Sequence, residues 1–179
     1  CTKLGKKMQL SPQEIRHNAR KFSLEWKNET RERAESQTFW NEFFAVFGIS
    51  RRHVGIFEAA FKKTKGTQGF IDVYWPKKLV CEQKSRGADL EKATEQALEY
   101  LQAIAQVNPD DLPRYVIVCD FARLRLYDIE TKQHQEILIN ELADHIHLFN
   151  FFLDGLTEIR EKEQAANIKA AERMGVLHD

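Results

Sequence analysis

Asp72, Glu82 and Lys84 lie in the stretch Phe70-Ile71-Asp72-Val73-Tyr74-Trp75-Pro76-Lys77-Lys78-Leu79-Val80-Cys81-Glu82-Gln83-Lys84, two apolar runs joined by a short turn. Two carboxylates and an amine could hold a hard divalent cation and steer water onto a phosphodiester. Among 179 residues that include 27 acidic and 27 basic ones, this spacing alone is close to what chance supplies. The surrounding elements must decide whether the three groups meet.

Both runs are rich in β-branched and aromatic residues, and Trp75-Pro76-Lys77-Lys78 reads as a turn, so the segment predicts a β-hairpin. The midpoint between positions 72 and 82 is 77, inside the turn, which sets Asp72 across from Glu82. Residues two apart on a strand share a face, so Lys84 joins them. Ile71, Val73, Trp75 and Cys81 are expected on the opposite face. A cross-strand ion pair on a sheet surface would account for part of this pattern. One lysine, however, cannot neutralise two carboxylates set in apolar strands, and such charges are costly to bury unless paired or metal-bound.

The remaining elements follow from periodicity and caps. Ser11-Pro12-Gln13-Glu14 carries a capping box and predicts a helix to about Asn28. A second helix, about Glu32 to Phe47, holds Phe39, Trp40, Phe43, Phe44 and Phe47 as core, with Gly48 suited to its C-terminal end. Residues 53–63 fit a strand or a short helix. A strong helix is expected from Asp89 to about Gln106, then strands at 115–120 and 123–129, a short strand at 137–139, and a helix from Leu142 to Leu156. The order implies an α/β domain with a mixed central sheet flanked by helices and extra N-terminal helices. From Thr157 the composition turns helical without a wide apolar face, which reads as the start of a connector or a fraying terminal helix.

No apolar run is long enough to span a bilayer and residues 1–10 lack a signal-peptide pattern, so the chain is expected to be cytoplasmic with no membrane partner. Cys1, Cys81 and Cys119 make an odd count, consistent with reduced thiols. Net charge is zero, but residues 50–90 carry a basic surplus around the candidate site: Arg51, Arg52, Lys62, Lys63, Lys65, Lys77, Lys78 and Arg86. Such a surplus suits phosphate contacts, although a solvated charged face explains any single one of these residues as well.

The strand-borne Asp72, the Glu82-x-Lys84 pair and the helix that follows resemble the PD-(D/E)XK nuclease core, a restriction-endonuclease-like fold. Gln96 and Tyr100 add a Gln-x-x-x-Tyr spacing similar to that of RecB-like members. A closer likeness runs through Phe-Phe-Ala-Val-Phe-Gly-Ile (43–49), Phe-Glu-Ala-Ala-Phe-Lys-Lys (57–63), Gly-Phe-Ile-Asp-Val-Tyr-Trp-Pro (69–76) and Glu-Gln-Lys-Ser-Arg-Gly-Ala-Asp-Leu (82–90). It resembles the N-terminal nuclease domain of MmeI-like type II restriction-modification proteins, which fuse a nuclease, a helical connector, an adenine-N6 methyltransferase and a target-recognition domain. Ile71 stands where that pattern has proline.

The resemblance implies a nuclease domain over 1–156, with 157–179 opening the connector to domains that this sequence lacks. Asp72 and Glu82, with the Gln83 carbonyl, would hold Mg²⁺, and Lys84 would orient the attacking water. Glu58 is either a further ligand or an exposed glutamate near Lys62. Gln96 and Tyr100 would position Lys84 or a phosphate, against the plainer reading of a surface amide and a half-buried ring. Ser85 and Arg86 are candidate DNA contacts. The expected partner is double-stranded DNA, with a transient dimer for cutting both strands. S-adenosylmethionine would serve only the methyltransferase outside this sequence. The alternative is a catalytically inactive nuclease-like module that binds DNA or a protein partner within a DNA methyltransferase.

Overall fold

The computed structural model describes residues 9–50, 56–62 and 68–176, with only the backbone considered at 56–62, 68–70, Ile159 and 174–176. Two helices open the chain, α1 (Pro12–Glu25) and α2 (Glu32–Val46). Ser11 accepts the Glu14 N–H at 3.3 Å while Glu14 accepts the Ser11 N–H at 2.7 Å, so the expected capping box starts α1. Gly48 follows α2 at φ 77°, a left-handed position that glycine adopts without steric cost. The two helices meet through rings: Phe22 lies 5.1 Å from Phe39 and Trp26 also 5.1 Å from Phe39.

Among the described residues six strands form one mixed sheet in sequence order: β1 (Ile56–Lys62), β2 (Gln68–Trp75), β3 (Leu79–Gln83), β4 (Tyr115–Cys119), β5 (Arg123–Asp128) and β6 (Gln133–Leu138). The ambiguous 53–63 segment is therefore a strand where it is described. Neighbours are antiparallel except β3 and β4, which pair in parallel from Leu79↔Tyr115 to Gln83↔Cys119. Parallel neighbours need a crossover, and α3 (Leu90–Val107) supplies it. Its buried residues Leu90, Ala93, Ala97, Tyr100, Leu101 and Ile104 cluster with Tyr74, Val80, Val116 and Val118. Ile71 joins this cluster too, rather than keeping apart with Val73 and Trp75; the β2–β3 ladder ends at Val73↔Cys81, while Ile71 pairs with Ala59 of β1. Val73, Leu79, Cys81, Ile117 and Cys119 are fully buried as well, and every residue of β3 is buried.

Two expected elements differ. The short strand at 137–139 is instead the six-residue β6, whose first four residues are polar and exposed and whose Ile137 alone is buried. The expected helix from Leu142 to Leu156 is two 3-10 segments, Ile139–Asp144 and Ile146–Phe149, followed by α4 (Phe151–Val176). Two compact units divide at Ile146 and His147. In the second, Phe149, Phe151 and Phe152 contact one another, and α4 runs unbroken through position 157. Among the described residues no helix is long and apolar enough to cross a membrane.

Candidate functional site

The β2–β3 pairs Val73↔Cys81, Tyr74↔Val80 and Trp75↔Leu79 are symmetric about residue 77. Lys77 makes the turn at φ 67°. Extending the ladder by one step sets Asp72 against Glu82, and there the backbone contact passes to a side chain: the Gln83 N–H donates to Asp72 Oδ2 at 2.6 Å. Lys84 follows β3, its own N–H held by the Cys119 carbonyl at 2.7 Å. Its Nζ reaches Glu82 Oε1 at 2.8 Å and Gln96 Oε1 at 3.1 Å. Strand alternation thus brings Asp72, Glu82 and Lys84 together, and α3 adds Gln96 and Tyr100 one turn apart.

These groups are poorly solvated and only partly satisfied. Glu82 is 6 % exposed, and its Oε2 is buried with no hydrogen-bond partner among the described residues. Burial lifts its carboxyl to about 7, and the neighbouring charge of Asp72 adds to this, against the opposing pull of Lys84. Burial also raises Asp72, although the Gln83 N–H and the Ser36 hydroxyl favour its charged form. Tyr100, 2 % exposed, is raised by burial and then by the charge of Glu82, while a hydrogen bond with Gln96 lowers it.

Two participants come from α2 and were not anticipated. Ser36 Oγ donates to Asp72 Oδ1 at 2.8 Å. Glu32, one turn earlier, accepts from the Ser85 hydroxyl, and its charge raises both Asp72 and Glu82. A cavity of about 410 Å³ lined by Glu32, Ser36, Gln37 and Asp72 opens here. The i,i+4 spacing of Glu32 and Ser36, polar groups on an aromatic helix, was the available signal; which strand they would meet was not in it.

The other candidates are distributed unevenly. Ser85 is exposed and engaged with Glu32, and Arg86 donates to the carbonyls of Glu29 at 3.1 Å and Lys27 at 3.0 Å. Phe57↔Val73 and Ala59↔Ile71 place position 58 opposite Asp72 in the β1–β2 register; the Glu58 side chain lies outside the described residues. So do Arg51, Arg52, Lys63 and Lys65 of the basic stretch, and the side chain of Lys62.

A second carboxylate cluster stands at the same end of the sheet. Asp120, fully buried, accepts N–H bonds from Gly87, Ala122 and Arg123 at 3.0, 3.1 and 2.7 Å, and the Arg123 guanidinium at 2.7 Å. Burial pushes its carboxyl up, but these donors prevail and hold it below the usual range. Arg123 also donates to the Ala88 carbonyl at 2.7 Å, so the pair clamps the loop between Lys84 and α3. Phe121, between them, takes φ 66°, unusual for a bulky residue, and stacks 5.8 Å from Trp26.

Among the described residues no three His, Cys, Asp or Glu side chains gather as a metal cage. The carboxylates of Asp72 and Glu82 would offer hard oxygen donors of the kind magnesium accepts while keeping several waters. Glu82 Oε2 would be the first of these donors open to such an ion.

The chain is 28 % identical over 156 residues to DNA methyltransferase A of Bacillus subtilis (strain 168), a match that covers 82 % of this chain and 16 % of that protein. It therefore spans about a sixth of the length of that relative. No solved structure matches it. Residues 17–179 match the family described as MmeI, N-terminal domain, nearly the whole of the sheet and its helices. The chain belongs to the MmeI N-terminal domain family.

Proposed function

We propose that this chain is the Mg²⁺-dependent DNA endonuclease domain of a fused restriction-modification protein, with a PD-(D/E)XK site at Asp72, Glu82 and Lys84. The observation that carries this reading is the buried, partnerless Oε2 of Glu82 beside a second carboxylate and a lysine. An unsatisfied buried acceptor costs about 1–3 kcal/mol, a cost that a bound cation would offset. Asp72 and Glu82 would hold the ion, with the Gln83 carbonyl beside them. When bound, magnesium would neutralise charge on the phosphoryl oxygens and activate water.

The rest of the chemistry belongs to the chain. Gln83 N–H and Ser36 Oγ fix both oxygens of Asp72, so that carboxylate presents its remaining lone pairs in one orientation. Lys84 Nζ, held between Glu82 and Gln96, is aimed by two acceptors and would place its positive charge against the attacked phosphate. Tyr100 braces Gln96 from the next turn of α3. Ser85 and Arg86 would meet the DNA backbone. With one such site per chain, cutting both strands would take two copies. The likeness to the Bacillus DNA methyltransferase favours a second reading, a non-cutting module of a DNA methyltransferase whose S-adenosylmethionine site would lie outside this chain.

Calorimetric titration with Mg²⁺ or Mn²⁺ tests the ligands: binding to the wild type and none to Asp72→Ala is expected, and equal heats from both would sink the assignment. Nicking of supercoiled plasmid separates the two readings. Lys84→Ala should cut at least about a hundredfold more slowly than wild type, whereas equal rates would remove the lysine from the reaction and absence of any cutting would favour the second reading.

A further inference from the structure

A cavity of about 610 Å³ opens between α1, the loop after β3, the β4–β5 turn and the residues following β6. Arg20 and Lys27 of the α1 region and Arg86 line it, and none of its ten lining residues is acidic. Arg16 continues the same stripe one turn earlier on α1, also exposed. Arg20 and Lys27 make no side-chain ion pair or hydrogen bond among the described residues. Arg86 differs in that its guanidinium is pinned by two backbone carbonyls, which orient it without cancelling its charge. Between the cations, Leu24 and Leu138 are 74 % and 44 % exposed.

The location matters as much as the charge. Because β3 and β4 run parallel, the residues that follow them, Lys84 to Arg86 and Phe121 to Ala122, emerge at one end of the sheet. The groove therefore lies at the end that carries the trio, and Arg86 is two residues from Lys84. We propose that this groove seats the sugar-phosphate backbone of duplex DNA, holding a flanking stretch while another phosphate of the same duplex reaches Asp72, Glu82 and Lys84. The proposal rests on the nuclease reading. Uncancelled cations supply the affinity for phosphate, which carries no base information, and the exposed leucines offer an apolar surface to deoxyribose. An acidic, apolar protein segment would find the same charges, but it would not need to lie beside a phosphodiester-cutting centre.

The test is fluorescence anisotropy of a labelled duplex of arbitrary sequence with the whole chain in EDTA, so that binding is read without metal or cleavage. Arg20→Gln with Lys27→Gln should weaken binding about tenfold at low salt and flatten the dependence of affinity on salt by about two ions. Arg20→Lys with Lys27→Arg should bind as wild type, as should Lys92→Gln with Lys169→Gln, which removes two exposed charges elsewhere. Wild-type affinity and salt slope in the first pair would overturn the proposal and leave the groove to an acidic protein segment; a wild-type chain that does not bind duplex at low salt would overturn it too. Metal titration of the first pair should match wild type, whereas failure of the nuclease reading would show as loss of that metal binding or of its dependence on Asp72.

Discussion

Glu82 and Asp120 are both buried carboxylates at the ends of neighbouring parallel strands, with Lys84 at 2.8 Å from one and Arg123 at 2.7 Å from the other. Around Asp120 the chain has closed every contact: three N–H groups and a guanidinium converge on it, and its proton is held off. Around Glu82 it has stopped short, leaving one oxygen partnerless and the carboxyl lifted to about 7 by burial and Asp72. A satisfied carboxylate stabilises the fold, while an unsatisfied one costs stability until a ligand arrives. The difference separates a carboxylate whose contacts are closed from one that keeps an open acceptor, although both look alike as acid-base pairs.

The contrast can be broken most easily at the clamp. Asp120→Ala should destabilise the chain by about 3 kcal/mol in urea unfolding, because it leaves three N–H groups without their acceptor and frees the turn that holds Phe121 at positive φ. A loss below about 1 kcal/mol would remove the distinction. The two carboxylates should also respond to pH with opposite signs. Glu82, with a folded value above its unfolded 4.5, contributes stability that is present below pH 4.5 and is lost as pH rises through about 7. In EDTA that loss is on the order of 2–3 kcal/mol, and Glu82→Gln should abolish it. Asp120, lowered, contributes stability present above its unfolded 3.8 and lost as pH falls through its folded value. Unfolding curves across pH 3–8 on both variants would expose a wrong sign directly.

Smaller effects sharpen the picture within the site. Ser36→Ala removes one hydroxyl from Asp72 and should cost about 1 kcal/mol, together with a few-fold weaker metal binding by calorimetry. Gln96→Ala leaves Lys84 its bond to Glu82 and should change stability by less than about 0.5 kcal/mol, with its effect confined to the cleavage rate.

The hairpin and its charges were legible because they depend on local rules. Alternation along two apolar runs and a turn centred on residue 77 placed Asp72, Glu82 and Lys84, and the 3.6-residue period placed Gln96 and Tyr100 one turn apart on α3. Where placement depended on distant elements, the sequence was silent. Glu32 and Ser36 read as ordinary polar helix positions until α2 met β2. Asp120 read as the last residue of a strand, although Arg123 three residues on hinted at a closed turn. The strand β6 was cut short because Gln133 to Glu136 face solvent, and edge exposure erases the alternation that marks a strand. The helix expected at Leu142 to Leu156 holds only from Phe151, because the apolar spacing before it is shared by 3-10 turns, whose residues bury as well as those of an α-helix.

The three-residue turn between Trp75 and Leu79 joins two strands whose side chains alternate strictly where they pair. Substitutions at Pro76, Lys77 or Lys78 would leave that count unchanged. Deleting one residue would not, since a one-step slip sends every side chain of the strand to the other face and would exchange Glu82 with Cys81. Relatives that keep Asp72 and Glu82 face to face are therefore expected to vary freely in the composition of the turn and scarcely in its length, so that turn length is inherited with the paired carboxylates.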